Sequence, residues 1–220
     1  EAAMIASRSW LLAVVLLAAG CGSNPPAPDW RIKAHDSLAR YTSAFLEGRG
    51  AAAAAEFARA RAALASTGQS GLVARAELTR CALLVASLAF EPCAGFETLR
   101  AEAPAAERAY ADYLDGRIAA EQVPLLPPQH RSFAQGAADT AALGAIADPL
   151  ARLVAAGVLF RTGRASPGVL AAASDTASAQ GWRRPLLAWL GVRALRAEQA
   201  GALEEARQLR RRMALAAGER

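Results

Sequence analysis

Residues Cys81–Phe90 read CALLVASLAF, ten positions with no charge and only Ser87 polar. A helix that is apolar all round has no face for water and is normally buried on several sides. The run is about half of the ~20 residues that a bilayer span requires, so it belongs inside a globular fold rather than in a membrane. Read backwards at helical spacing it extends to Leu72. The sequence therefore predicts a helix over Leu72–Phe90, central to the amino-terminal half.

The same three- and four-residue spacing continues in both directions, and no stretch alternates as a half-buried strand does. A first helix is predicted from about Asp29, with Ile32, Leu38, Tyr41, Phe45 and Leu46 as its apolar stripe up to Gly48. A second, alanine-rich helix covers Ala51–Ser66 and stops at Thr67-Gly68. Phe96–Ala103 and Ala105–Leu114 read as a helix restarted at Pro104, where proline suits the first turn. Gly116–Gly136 holds Pro124, Pro127 and Pro128 without a clear period and reads as a connection between halves or a functional loop. Helices resume over Thr140–Phe160, Pro167–Gln180, Arg184–Gln199 and Ala202–Ala217, with breaks at Gly163, Gly181 and Gly201. Short links imply antiparallel neighbours. The expectation is one helical domain, residues 29–220, of four successive hairpins, its halves 29–116 and 137–220 joined by the proline-containing connection.

Helix pairs repeating every ~34 to 47 residues are the mark of helical arrays. Gly48, Ala53, Phe57 and Ala60 match the turn glycine, small residue, aromatic and alanine of a tetratricopeptide unit's second half, and Gly201, Leu203 and Ala206 match the same pattern in the last hairpin. Arg210 stands where the aromatic belongs and Met213 where the alanine does. Ser37, Arg40, Tyr41 and Ala44 depart from the first-helix pattern of Trp, Leu, Gly and Tyr. The chain thus resembles tetratricopeptide-repeat proteins in part. The resemblance implies an all-α fold of antiparallel helical hairpins stacked as a short tetratricopeptide-like solenoid, with an irregular bundle as the alternative that the departures leave open.

The amino terminus carries a different message. Met4 is placed to initiate, with residues 1–3 an upstream extension; Arg8 precedes an apolar segment from Trp10 to Ala19, and small residues follow, the layout of a secretory signal over residues 1–20. Leu17-Ala18-Ala19-Gly20-Cys21 resembles the lipobox of bacterial lipoproteins. That resemblance implies cleavage before Cys21, a diacylglycerol on its thiol and an acyl chain on its new amino group, and two or more chains hold a protein stably on a membrane. Gly22, rather than Asp, after the cysteine implies the outer membrane. Residues 21–28, with three prolines, read as a lipidated, extended tether.

The net charge of +5 is unevenly spread. From Cys21 to Trp182 there are 15 Lys or Arg and 15 Asp or Glu, whereas Arg183–Arg220 holds nine Arg against four Glu. The excess is one local basic face, so nucleic-acid binding is not expected. Arg207, Arg210 and Arg211 fall at spacings that share a helix face, with Arg196 near it; they are the candidate partner-binding residues, unless they form a solvated face balanced by Glu204 and Glu205. Cys81 and Cys93 remain as an even pair in an oxidising compartment. Pro92 and Gly95 permit the reversal that a disulfide needs; the other reading is two buried thiols.

Catalytic signals are thin. The only histidines, His35 and His130, sit in no metal-ligand spacing and read as exposed. Asp112 and Asp115, beside Tyr110 and Tyr113, read as a solvated face. Ser166-Pro167-Gly168 lacks the strand and spacing of a nucleophile elbow. The expected function is that of a non-catalytic protein-binding adaptor or assembly factor for a cell-envelope machine, lipid-anchored and periplasm-facing, with no metal or cofactor beyond the lipid on Cys21. The alternatives are an envelope enzyme or polymer-modifying accessory whose site forms only in the fold, and a structural lipoprotein bridging outer membrane and cell wall.

Overall fold

The computed structural model describes residues 27–218; the expected leader, Cys21 and most of the tether lie outside these residues. All regular structure among the described residues is helical. The helices are α1 (Asp29–Leu46), α2 (Gly50–Ala65), α3 (Ser70–Ala86), α4 (Ala94–Glu97), α5 (Ala105–Leu114), α6 (Pro128–Ala134), α7 (Thr140–Gly144), α8 (Pro149–Arg161), α9 (Pro167–Ala179), α10 (Arg183–Gln199) and α11 (Leu203–Ala217), with a 3-10 helix over Ala120–Leu125 between α5 and α6.

The pairs α1/α2 and α10/α11 are tight antiparallel hairpins at the two ends of the chain, and the middle is not a stack. Helix α3 packs on α8, α5 and α1, and α10 also reaches α1. In a solenoid each unit touches only its neighbours, so the arrangement is an irregular bundle around α3. One cluster of buried side chains runs from Ala74 to Trp189 and includes Phe96, Tyr113, Phe133, Leu153 and Leu159.

Two close contacts fix the centre. A Cβ on Gly157 would fall well inside van der Waals reach of the Val85 carbonyl oxygen, so α3 and α8 meet backbone to backbone and only glycine fits there. Trp189 of α10 is fully buried and donates its indole N–H to the Ala86 carbonyl at 3.0 Å, which satisfies one of the open carbonyls at the end of α3. Phe160 packs edge-on against Trp189 and stacks on Phe90.

Helix α3 stops at Ala86, four residues before the expected Phe90. The termination is a Schellman turn: the Ala89 N–H donates to the Leu84 carbonyl at 2.9 Å, and that of Leu88 to Val85 at 3.0 Å. Leu88 takes the left-handed conformation, φ +57°, where glycine is usual. The chain then doubles back and Cys93 is disulfide-bonded to Cys81 with Cα atoms 5.8 Å apart. Closing a loop of this length stabilises a fold by about 3 kcal/mol on the chain-entropy account.

Other boundaries also moved. The helix expected over Phe96–Ala103 is the single turn α4 followed by turns, and the one expected over Thr140–Phe160 is split. Asp139 and Asp148 each cap a separate helix, accepting from the Ala142 N–H at 2.7 Å and the Ala151 N–H at 2.6 Å, and Pro149 occupies the first turn of α8. The connection Gly116–Gly136 contains the 3-10 helix Ala120–Leu125 and α6. Its Val123, Leu126 and Phe133 are buried, and Asp115 at its threshold bridges Arg117 at 2.5 Å and Arg161 at 3.1 Å.

Replacing Gly157 with valine forces α3 and α8 apart. We expect a loss of about 3 kcal/mol, as for overpacked cores, seen as a lower urea midpoint with an unchanged slope; a midpoint equal to wild type would mean that the two backbones are not in contact.

Candidate functional site

The four arginines expected to form a partner-binding face are divided by the structure. Arg210 is paired with Glu198 through Nε and Nη2 at 3.1 and 3.2 Å, and Arg207 and Arg211 both reach Glu204, at 2.8 and 3.4 Å. Arg196 lies two residues before Glu198, about 200° around α10. It points the other way, donating to the Ala165 carbonyl at 3.2 Å beside the Phe160 ring. Three of the four are offset by glutamates and the fourth clamps α10 to the body.

Arginines without ion-pair partners gather elsewhere, in an open cleft of about 470 Å³ between α1, α2, α3 and the start of α10. Its floor is aromatic: Tyr41 packs at 4.9 Å from Phe57 and 5.9 Å from Phe45, centroid to centroid. Its depth comes from small residues on α2, Ala53, Ala54 and Ala58, part of the alanine and aromatic spacing that resembles a tetratricopeptide unit. Arg184 lies 4.1 Å above the Phe45 ring and Arg80 6.0 Å from that of Phe57. Cation–π contact of this kind holds a guanidinium in place without neutralising it.

Two of the three arginines that line the cleft form no ion pair among the described residues. Arg61 donates to buried Glu77 at 2.8 Å, but among the described residues Arg80, Arg184 and the rim residue Glu91 form no ion pair. Tyr41 as a residue is 3 % exposed, and its hydroxyl makes no hydrogen bond among the described residues. Burial pushes its pKa up to about 12, against the opposing pull of Arg80 and Arg184, so it stays a neutral donor. Two cations held on rings, a hydroxyl donor open to the cleft and an aromatic floor together suit an anionic group carried on an apolar body. Comparison of the chain with protein-family models, curated proteins and solved structures gives no match.

Of the other expectations about titratable groups, two changed where packing intervened. His35 is exposed beside Asp36, as expected. His130, expected on an exposed loop, is only 2 % exposed. Pro128 starts α6, and the three-residue spacing of His130 and Phe133 turns both inward. The Tyr113 hydroxyl meets His130 Nδ1 at 3.3 Å. Tyr113 is buried as well, and Asp112 and Asp115 are tied to Arg100, Arg117 and Arg161, so this turn of α5 is not a solvated face. Among the described residues no group of three or more His, Cys, Asp and Glu side chains is placed to hold a metal ion.

Burial depresses the His130 pKa to about 4, with Asp148 pulling weakly the other way. The unfolded chain takes up this proton near pH 6.5 and the folded chain resists it until about pH 4. Stability is therefore expected to fall by about 3 kcal/mol as pH drops across that window. Urea titrations from pH 7.5 to 4 check this, with His130→Gln expected to flatten the slope; an equal slope in both proteins would mean the imidazole is not buried neutral.

Proposed function

We propose that this chain is a lipid-anchored protein of the bacterial envelope that acts without catalysis, holding an acidic segment of a partner protein in the α1–α3 cleft. The single observation that carries the reading is the pair of unpartnered guanidinium groups of Arg80 and Arg184 above an aromatic floor. An acidic side chain flanked by an apolar one supplies the missing charge and covers the rings. Charge complementarity of this kind sets encounter rate and specificity more than affinity. The resemblance of Leu17–Cys21 to a lipobox supports the anchor, and Gly22 in place of Asp favours the outer membrane by the same resemblance.

Two features weigh against the other expected roles. The buried carboxylates Glu77 and Glu107 each carry an arginine, Arg61 and Arg75, which is the arrangement of structural ion pairs rather than of an unpaired acid kept for catalysis. Arg207, Arg210 and Arg211 of the last hairpin are offset by Glu198 and Glu204, which weakens these three as a contact to anionic wall polymer.

The test joins anchor and cleft. Native protein should carry the acyl mass and sediment with the outer membrane, and Cys21→Ser should do neither. A photo-crosslinker placed at the exposed rim residue Ala58 should give one discrete protein adduct in cells, and Arg80→Glu with Arg184→Glu should reduce it at least tenfold, as loss of ~1.4 kcal/mol implies, while leaving the urea midpoint within ~0.5 kcal/mol. An unacylated, soluble native protein overturns the anchor. An adduct indifferent to both charge reversals overturns the cleft.

A further inference from the structure

The two ends of α1 are built differently. At its carboxy-terminal end the turn into α2 is charged, with Arg49 bonded to Glu47 at 2.7 Å, and Arg183 and Arg184 of α10 lie against Gly48 and the Phe45 ring. At its amino-terminal end the neighbour is the turn from α2 to α3, where residues 62–74 carry no charge. Trp30 packs there on the cluster of Ala34, Leu64, Val73 and Ala76, with Leu72 also against it. Ile32 on the same turn of α1 is 49 % exposed.

The polar groups of the α2–α3 turn are already spent. The Ser66 hydroxyl donates to the Ala63 carbonyl at 2.8 Å; that of Thr67 donates to the Leu64 carbonyl at 2.7 Å and accepts from the Gln69 N–H at 3.2 Å. The backbone N–H groups of Ser66, Thr67 and Gly68 donate to Ala62, Leu64 and Ala65. A surface whose donors are satisfied internally loses little when water is withdrawn from it. The charges around it nearly cancel. Arg31 and Lys33 on α1 stand against Asp29 and Glu102, the latter two residues before Pro104, which lies beside Gly71. None of these four forms an ion pair among the described residues.

What meets this end is set by the tether. Seven residues separate Cys21 from Pro28, a span of about 25 Å at most, whereas α1, with 18 residues, is about 27 Å long. A lipid on Cys21 therefore keeps the bilayer within one helix length of Trp30 and Ile32, and the charged end of α1 lies a helix length farther along. Tethering over so short a distance gives an effective concentration of roughly millimolar order, at which a weak contact is occupied. An aromatic ring with a polar edge sits well at headgroup depth, and the half-buried Trp30 makes no hydrogen bond through its indole N–H among the described residues.

We infer that this end of the bundle, formed by Trp30, Ile32 and the α2–α3 turn, rests on the lipid headgroups of the membrane that holds the anchor. The inference rests on the lipid anchor of the proposed function and is independent of what the arginine cleft binds. Because the end is close to neutral, the contact is interfacial rather than electrostatic and persists in salt. Ile32 and Phe45 are thirteen residues apart on α1, about 20 Å along its axis, so the orientation turns Arg184 away from the bilayer.

Native acylated protein in vesicles of brominated phosphatidylcholine reads the contact. An environment-sensitive fluorescent amino acid replaces Gln69, which is exposed and makes no side-chain capping bond. In a second sample it replaces Leu215, which is 82 % exposed on α11, where Met213 lies beside Gly191 and the helix runs on toward the start of α10. Bromolipid should quench position 69 about threefold more than position 215, and equally at ~50 and ~500 mM salt, between which the Debye length falls about threefold. Ile32→Asp, a change at an exposed position, should lower the quenching at position 69 about twofold or more while leaving the urea midpoint in place. A native protein whose mass lacks the acyl chains overturns the anchor and this inference with it. An acylated protein quenched equally at both positions, quenched only at low salt, or indifferent to Ile32→Asp overturns the membrane contact alone. So does a position 69 that is unquenched in vesicles yet shielded in whole envelopes, which would mean that a protein covers this end.

Discussion

The backbone contact between α3 and α8 at Val85 and Gly157 is the constraint on which the rest of the structure depends. Because the two helices touch without side chains between them, α3 sits deep enough for its carboxy-terminal half to be enclosed. That explains why the run from Cys81 onward carries no charge. Enclosure leaves the end of α3 with carbonyl groups that water does not reach, and each finds a substitute: Leu84 and Val85 in the Schellman turn, Ala86 in the indole of Trp189. The left-handed Leu88 costs about 1–2 kcal/mol. It persists because the Cys81–Cys93 bond, the Phe90–Phe160 stack and Trp189 all hold the chain on either side of it.

The arginines sort by what they face. Arg61 and Arg75 are committed to the buried carboxylates Glu77 and Glu107, Arg100, Arg117 and Arg161 to the Asp112–Asp115 turn, and Arg207, Arg210 and Arg211 to glutamates of the last hairpin. Exposed pairs of this kind contribute little stability each. They matter more here by contrast: the guanidinium groups above the rings of Phe45 and Phe57 are not among them. A count of charges along the sequence finds the excess in the last segment; the fold pairs Arg207, Arg210 and Arg211 of that segment with glutamates and brings Arg184, at its start, into one cleft with Arg80 from the middle of the chain.

Helical content and the buried character of Cys81–Phe90 were legible because both rest on local periodicity. The glycine stops were legible too: Gly48, Gly163, Gly181 and Gly201 all take positive φ at helix ends. The stop after Ala86 was not, since a leucine fills the position where glycine normally signals it. The capping signals Asp139-Thr140 and Asp148-Pro149 were present in the sequence, but the apolar period runs through them and outweighed them. His130 was misplaced for a physical reason: three prolines imply a loop, yet Pro128 at a first helical turn begins α6, and what buries the histidine is Tyr113 from another helix. The arginine cleft is assembled from α1, α2, α3 and α10, and no linear spacing records such a meeting, although the Ala53–Phe57 pattern that shapes its depth was visible.

Alanine has a cost and a use in this fold. Small side chains bury little apolar area, so the core draws much of its stabilisation from a few large residues, Trp189, Tyr113, Phe96 and Phe133 among them, and from the disulfide. The same small side chains leave hollows on both sides of α3, with Ala53, Ala54 and Ala58 on one and Ala82, Ala106 and Ala151 on the other. A wall enclosed on most of its circumference and fixed at its end does not need to be ordered when a ligand arrives, which removes the ordering cost that weakens flexible sites. The rigidity that Gly157 and Trp189 impose on α3 therefore keeps the hollows on both of its sides in shape.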